Sequence, residues 1–361
     1  MGIRLGAFLL LGTVLLFAGC ATAPGPVSKQ ARPAMWPQAP DQPRYIYEAV
    51  LHNSQSIARE SEEERMRRLL TGAGTEVRGF KKPLAVAARG GRIYVTDTEG
   101  RRVHVFDVPR RRFFTFGYRS EGELQKPAGI AVDSRGNVYV ADVSARRVMQ
   151  YDGLGLFLRA FGNRTELERP TGVGVAPSGE RVYVVDAGGV DSDKHQVTAY
   201  DKDGKKLFVI GSRGKENGRF NLPVDAAVAA DGTLYVLDAG NFRVQAFDRD
   251  GRFLRAFGEV GNAPGQFSRP RGIAVDRDAN VYVSDAGFAN VQIFDSAGRL
   301  LLALGGRGTE DAPGRYRLPA GVAADETGRV YVVDQFFHKI EVLRRLSDAE
   351  GGRLLEEFST R

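Results

Sequence analysis

Six aspartates recur along this chain at near-regular spacing. Asp97, Asp142, Asp186, Asp238, Asp285 and Asp334 are separated by 45, 44, 52, 47 and 49 residues. Carboxylates act as acids, bases or cation ligands when two or three converge on one point. A second regularity points away from such work here. Five residues after the aspartate stands a cation in four repeats: Arg102, Arg147, Arg243 and Lys339. Asn290 takes the place in the fifth, and the third is interrupted. An aspartate at a strand end and a cation one loop later can pair across the turn. The set therefore reads as scaffold rather than as a catalytic array.

The histidines are the next candidates. His52, His104, His195 and His338 fall at unrelated places in the repeat, His104 seven residues after its aspartate and His338 four after its own. A hydrolytic or lyase-type zinc site needs about three converging ligands, and at most His195 and His338 are expected on one side. No HExxH helix, phosphate loop or GxSxG elbow is present. Asp191-Ser-Asp193 and the Asp-x-Asp-Gly segments could bind calcium, but such segments are more often simple turns.

The elements that carry these residues repeat with them. Each unit opens on a proline (Pro83, Pro127, Pro170, Pro223, Pro270, Pro319) and continues through a short apolar strand and a polar turn. A Tyr-Val strand ending in the aspartate follows, then a loop and a further apolar strand, and usually a Gly-centred turn and a last strand. Four strands in 40 to 50 residues predict a propeller blade, because a lone four-stranded sheet cannot bury both faces. Six blades close into a ring, whereas an open row would leave edges unprotected.

Pro270-Arg-Gly-Ile-Ala-Val-Asp276, Val281-Tyr-Val-Ser-Asp285 and Asn241-Phe-Arg-Val-Gln-Ala-Phe-Asp248 resemble NHL repeats, and the resemblance runs from residue 80 to about 345. The array is similar to bacterial lipoproteins with a six-bladed propeller of this type. The resemblance implies an all-β, six-bladed β-propeller of NHL-type repeats, here with a short N-terminal helix and a lipoprotein signal peptide. Propeller enzymes of similar fold, such as the amidating lyase of peptide hormones, place several histidines around the central channel. This chain has no matching set, so no cofactor is expected, while a channel metal stays open.

Ring closure has two candidates. The sixth unit lacks the Phe-Asp turn, and its fourth strand is either Tyr45–Leu51, which alternates like a strand, or Arg353–Phe358. Tyr45–Leu51 is preferred, since it would lock the two ends of the ring together. Between it and the first blade, Ser56 to Leu70 predicts a helix with Glu62, Glu63 and Glu64 ahead of Arg65, Arg67 and Arg68. That order suits the helix dipole. The helix is expected to cap or plug one face.

The N-terminus reads as an export signal. Arg4 precedes an apolar run from Leu5 to Gly19, about 22 Å long as a helix against a hydrocarbon core of about 30 Å. The run ends in Phe17-Ala18-Gly19-Cys20, which resembles the bacterial lipobox, and Cys20 is the sole cysteine. The expected organisation is a signal peptide over 1–19, a lipidated Cys20 with a Pro-rich tether over 20–43, a strand and helix packing on the ring over 44–79, and the propeller over 80–361. The expected location is the cell envelope. Because Ala21 rather than aspartate follows the cysteine, the periplasmic face of the outer membrane is favoured, with the cell surface or inner membrane open.

The loops between second and third strands project from one face. They hold Arg102, Arg147, Phe242, Arg243, Phe288, Phe336, Phe337 and His338, and His195 ends a five-residue insertion in the third unit. Mixed aromatics and arginines are the composition of protein-binding hot spots. The expectation is a membrane-tethered, extracytoplasmic binding scaffold for an envelope protein or polymer. A metal-dependent lyase or lactonase working at the channel is the alternative. No nucleic acid is expected. Fifty-one Lys and Arg against 44 acids make an even mixture, and an exported protein meets little RNA.

Overall fold

The computed structural model describes residues 33–57, 62–72 and 77–359. The stretch expected to be signal peptide, lipidated Cys20 and tether lies outside the described residues as far as residue 32. Five four-stranded antiparallel blades run consecutively: Pro83–Phe116, Pro127–Phe161, Pro170–Ile210, Pro223–Phe257 and Pro270–Leu304. The sixth blade takes Pro319–Ala324, Arg329–Asp334 and Lys339–Arg345 from the C-terminal side. Its fourth strand is Tyr45–Leu51, paired antiparallel with Lys339–Arg345. The first strands of consecutive blades lie side by side around the axis, and the sixth returns to the first.

The core is divided among the blade interfaces. Strand side chains alternate between faces. Val138 and Val140 therefore join the cluster shared with the first blade, while Tyr139 and Ala141 join the one shared with the third. Six such clusters fill the six interfaces. Gly155 (φ 86°) shows what the third-to-fourth-strand turn demands: a left-handed backbone, and no Cβ, since one added there would fall 2.5 Å from Phe116 of the previous blade.

Closure is a two-ended lock. The Tyr45 and Tyr282 hydroxyls meet at 2.9 Å in the buried interface of the fifth and sixth blades. Glu48 takes a two-pronged contact from Arg329, at 2.6 and 2.8 Å. Residues 353–358 are not a strand. They belong to helix α2 (Asp348–Ser359), whose first turn carries Asp348 and Glu350 against the helix dipole. Within the stretch expected as tether, residues 20–43, Met35–Trp36 pairs with Tyr45 and Ile46 as a fifth strand. Helix α1 spans Glu62–Thr71 and leaves Met66, Leu69 and Leu70 exposed, so these side chains seal nothing. No helix among the described residues is long and apolar enough to cross a membrane.

Candidate binding face and central channel

The loop face is organised by the repeated aspartates. All six have no exposed surface, and each accepts at least one backbone amide at the end of its second strand. Asp285 accepts from Ser268, Arg269, Gly287 and Phe288, and Asp334 from Arg317, Leu318, Phe336 and Phe337. The carboxylate thus ties the segment entering its own blade to the loop after its second strand. The expected pairing with a cation five residues on holds in one blade, where Arg243 Nε lies 2.9 Å from Asp238. Arg102 instead donates to the Gly100 carbonyl, Arg147 is exposed, and Lys339 pairs with Asp311 and Glu341. Amides already held by the backbone reach the carboxylate without the cost of ordering a long side chain. At Asp97, burial pushes the carboxyl up. The His104 ring and the amides of Lys81, Gly100 and Lys82 outweigh it and bring the pKa down to about 2.

The face residues divide into supports and surface. His195 is 1% exposed. Its Nδ1 accepts from the Leu222 amide at 3.1 Å, and its Nε2 faces the Gly189 carbonyl at 3.4 Å. This histidine pins the third-blade insertion to the fourth blade and is not a surface group. Phe242 (φ 54°) packs into the cluster between the fourth and fifth blades, and Phe288 is half-buried. The sixth blade does present a patch. Phe336 is 48% exposed, with the Arg317 guanidinium 4.0 Å from its ring centre and Phe337 edge-on at 5.2 Å. His338 is exposed beside them. On the first blade, Arg102 and Arg119 lie 5.8 and 5.2 Å from the exposed Tyr118 ring.

The mouth of the channel is basic. The residues just before the six prolines ring the top of the inner strands: Lys82, Lys126, Arg169, Leu222, Arg269 and Leu318. Lys82 has Glu99 at 3.6 Å. Among the described residues, Lys126, Arg169 and Arg269 have no carboxylate within ion-pair reach. Arg271 stands one step inside the mouth, its Nη2 3.2 Å from Gln335 Oε1. Burial, then the neighbouring Arg269, push its pKa down from the ordinary arginine value.

Below the mouth the inner strands nearly touch. The third residue of each inner strand is Gly129, Gly172, Gly272 or Gly321 in four blades, Ala85 in the first and Asp225 in the fourth. Beneath this ring the channel opens into a cavity of about 320 Å³ walled by small and branched apolar residues. Its far rim carries Arg89, Asp276, Arg277, Asp325 and Glu326. Asp225 keeps some accessible surface toward the lumen while protein surrounds it, and burial pushes its carboxyl up to about 7 against the amides of Ala226 and Ile273.

The remaining histidines are engaged singly. His104 Nε2 lies 3.2 Å from Asp97, with the ring against Phe80 and Phe113. It takes the place in the third strand that Gln245, Gln292 and Glu341 hold in other blades. His52 lies 3.3 Å from Asp311. No three His, Cys, Asp or Glu side chains among the described residues are grouped to hold a metal ion, Asp191 and Asp193 included.

The NHL repeat family model matches residues 124–151 and 220–247, which run through the third strands of the second and fourth blades. The six sheets close around one axis. The chain is a six-bladed β-propeller that carries NHL repeats. Among solved structures this NHL propeller is similar to a Bacteroides thetaiotaomicron protein of unknown function (18% identity, 82% of this chain and 75% of that one, TM-score 0.57). It is similar to a Xanthomonas campestris gluconolactonase (19%, 74% and 87%, 0.55) and to virginiamycin B lyase from Staphylococcus aureus (10%, 76% and 86%, 0.52). Likeness at these identities shows the fold alone. No curated protein matches the chain in sequence.

Sequence reasoning passed over the residues that define the channel of the NHL propeller. The signal was there: with the repeats superposed on their prolines, the residue before the proline is basic in four blades, and Asp225 stands where the other blades have Gly or Ala.

Proposed function

We propose that this NHL propeller is a membrane-tethered, extracytoplasmic binding scaffold whose basic loop face holds an acidic protein or envelope polymer. The observation that carries the reading is the gathering of Lys126, Arg169, Arg269 and Arg271 at the channel mouth without carboxylate partners. Like charges held together by the backbone repel, and an incoming acidic surface relieves that repulsion while steering association. The Phe336–Arg317 stack adds a flat contact of the kind that anchors interfaces. The reading takes its location from the lipobox resemblance at Cys20. The lyase or lactonase alternative asks for ligands converging on the channel, and His104 and His195 are already committed to Asp97 and to Leu222.

Crosslinking in the intact envelope, followed by capture of the propeller, tests the proposal. A partner is expected that the combined Lys126→Glu, Arg169→Glu and Arg269→Glu variant loses, and that wild type releases as salt rises. Retention of the same partner by a folded triple variant would overturn it.

A further inference from the structure

At the glycine ring neighbouring inner strands approach closely. A Cβ added to Gly129, Gly172, Gly272 or Gly321 would come within 2.5–2.7 Å of backbone in the next inner strand. The spacing admits a Cβ in two blades, at Ala85 and Asp225. Asp225 lines the cavity and keeps some accessible surface, while its carboxylate reaches the Ile273 amide of the next inner strand.

That carboxylate is only partly satisfied. Oδ1 accepts from the Ala226 amide at 2.9 Å, and Oδ2 from the Ile273 amide at 3.4 Å. No cationic side chain among the described residues pairs with it. A carboxylate offers about four acceptor directions, so about half of them are left without a protein donor on a side chain that lines the cavity. The other ionisable groups of the lining stand at the far rim, and the acids there have partners of their own. Asp276 accepts from Tyr282 and Asn280, Asp325 from Tyr331 and Thr327, and Glu326 from the Gly90 amide.

We propose that the cavity below the glycine ring binds a small primary amine, its ammonium on the Asp225 carboxylate and its apolar body against the alanine and valine walls. The volume suits such a ligand, since small-molecule sites begin at about 300 Å³ and are mostly apolar with a few fixed polar groups. A buried carboxylate gains most from a donor that also brings positive charge. An anion would be repelled, and no group of three metal-ligating side chains among the described residues includes Asp225. The burial that pushes this carboxyl up agrees with a site that wants a proton or a cation. The site lies beyond the ring from the basic mouth and does not rest on the partner proposed there.

The test is saturable binding to the whole propeller, measured by titration calorimetry with hexylamine, and with hexanol and hexanoate as controls. Hexylamine is expected to bind at one site per chain, with the two controls weaker by about tenfold or more. Asp225→Ala should abolish the preference for the amine. This variant keeps the fold, because Ala85 already occupies the same ring position, and its melting curve verifies that. A second variant, Ala227→Leu, fills the cavity with Asp225 in place and should also lose binding. Equal binding of hexanoate, unchanged hexylamine affinity in a folded Asp225→Ala protein, or no saturable amine binding would each overturn the proposal.

Discussion

The Leu222 amide donates to Nδ1 of His195 across 3.1 Å, joining an insertion of the third blade to the residue just before the fourth blade's proline. In the other blades a residue at that place gives its amide to the repeated aspartate, as Arg269 does to Asp285. His195 thus does structural work that its position on the loop face concealed. His195→Ala is expected to leave the Leu222 amide without its acceptor and to cost about 1–3 kcal/mol. Urea unfolding measures the loss, and hydrogen exchange should show it concentrated at Leu222.

Asp285 holds four amides and has no exposed surface. Asp285→Ala strips all four at once, where water reaches only some of them. A loss of about 3–5 kcal/mol is expected, well above that of an exposed substitution. The same variant should loosen Arg269 at the channel mouth, read as faster exchange of its amide. Stability unchanged within about 0.5 kcal/mol would contradict the clamp.

The ring is held shut by Tyr45–Leu51. Deleting residues 1–53 leaves the sixth blade with an exposed edge on Lys339–Arg345, so the shortened chain is expected to aggregate or to unfold at lower temperature. Tyr45→Ala should cost about 3–5 kcal/mol as a large buried side chain, whereas Glu48→Ala, at an exposed pair, should cost about 1 kcal/mol or less. Comparison of melting curves separates the two contributions.

Asp225 predicts a pH dependence opposite to that of ordinary carboxylates. Its pKa rises from 3.8 to about 7 in the folded chain, so the folded state holds this proton more tightly than the unfolded state. The stabilisation is complete below about pH 4 and is lost as pH rises through about 7. The charged groups nearest the lumen are Arg271 at the mouth and Arg89, Asp276, Arg277, Asp325 and Glu326 at the far rim. Asp225→Ala should therefore gain on wild type between about pH 4 and 7, by at most about 1.4 kcal/mol for each pH unit crossed, and hold that gain above pH 7. Melting temperatures of both proteins across this range decide it. Parallel curves would show that the carboxyl titrates normally.

The six prolines and six aspartates, with Tyr-Val strands between them, determined the repeat and the blade count, because those features come from local chain chemistry. The same local chemistry did not choose between Tyr45–Leu51 and Arg353–Phe358 for the last strand. Both have apolar residues in reach, and the choice depends on which one meets Lys339–Arg345 in register. It also assigned Arg102, Arg147 and Lys339 to the repeated aspartates, whereas amides brought by a neighbouring segment had already filled those carboxylates.

Cys20 and its apolar leader are purely a matter of sequence and carry the expected location. The basic mouth and the Asp225 level belong to no single repeat. Lys126, Arg169 and Arg269 sit in three different blades, and the confinement that raises the Asp225 carboxyl comes from the inner strands converging on one axis. A sequence shows each of these residues once, along a line. Their mutual distance, and therefore their electrostatics, exists only when the ring is closed.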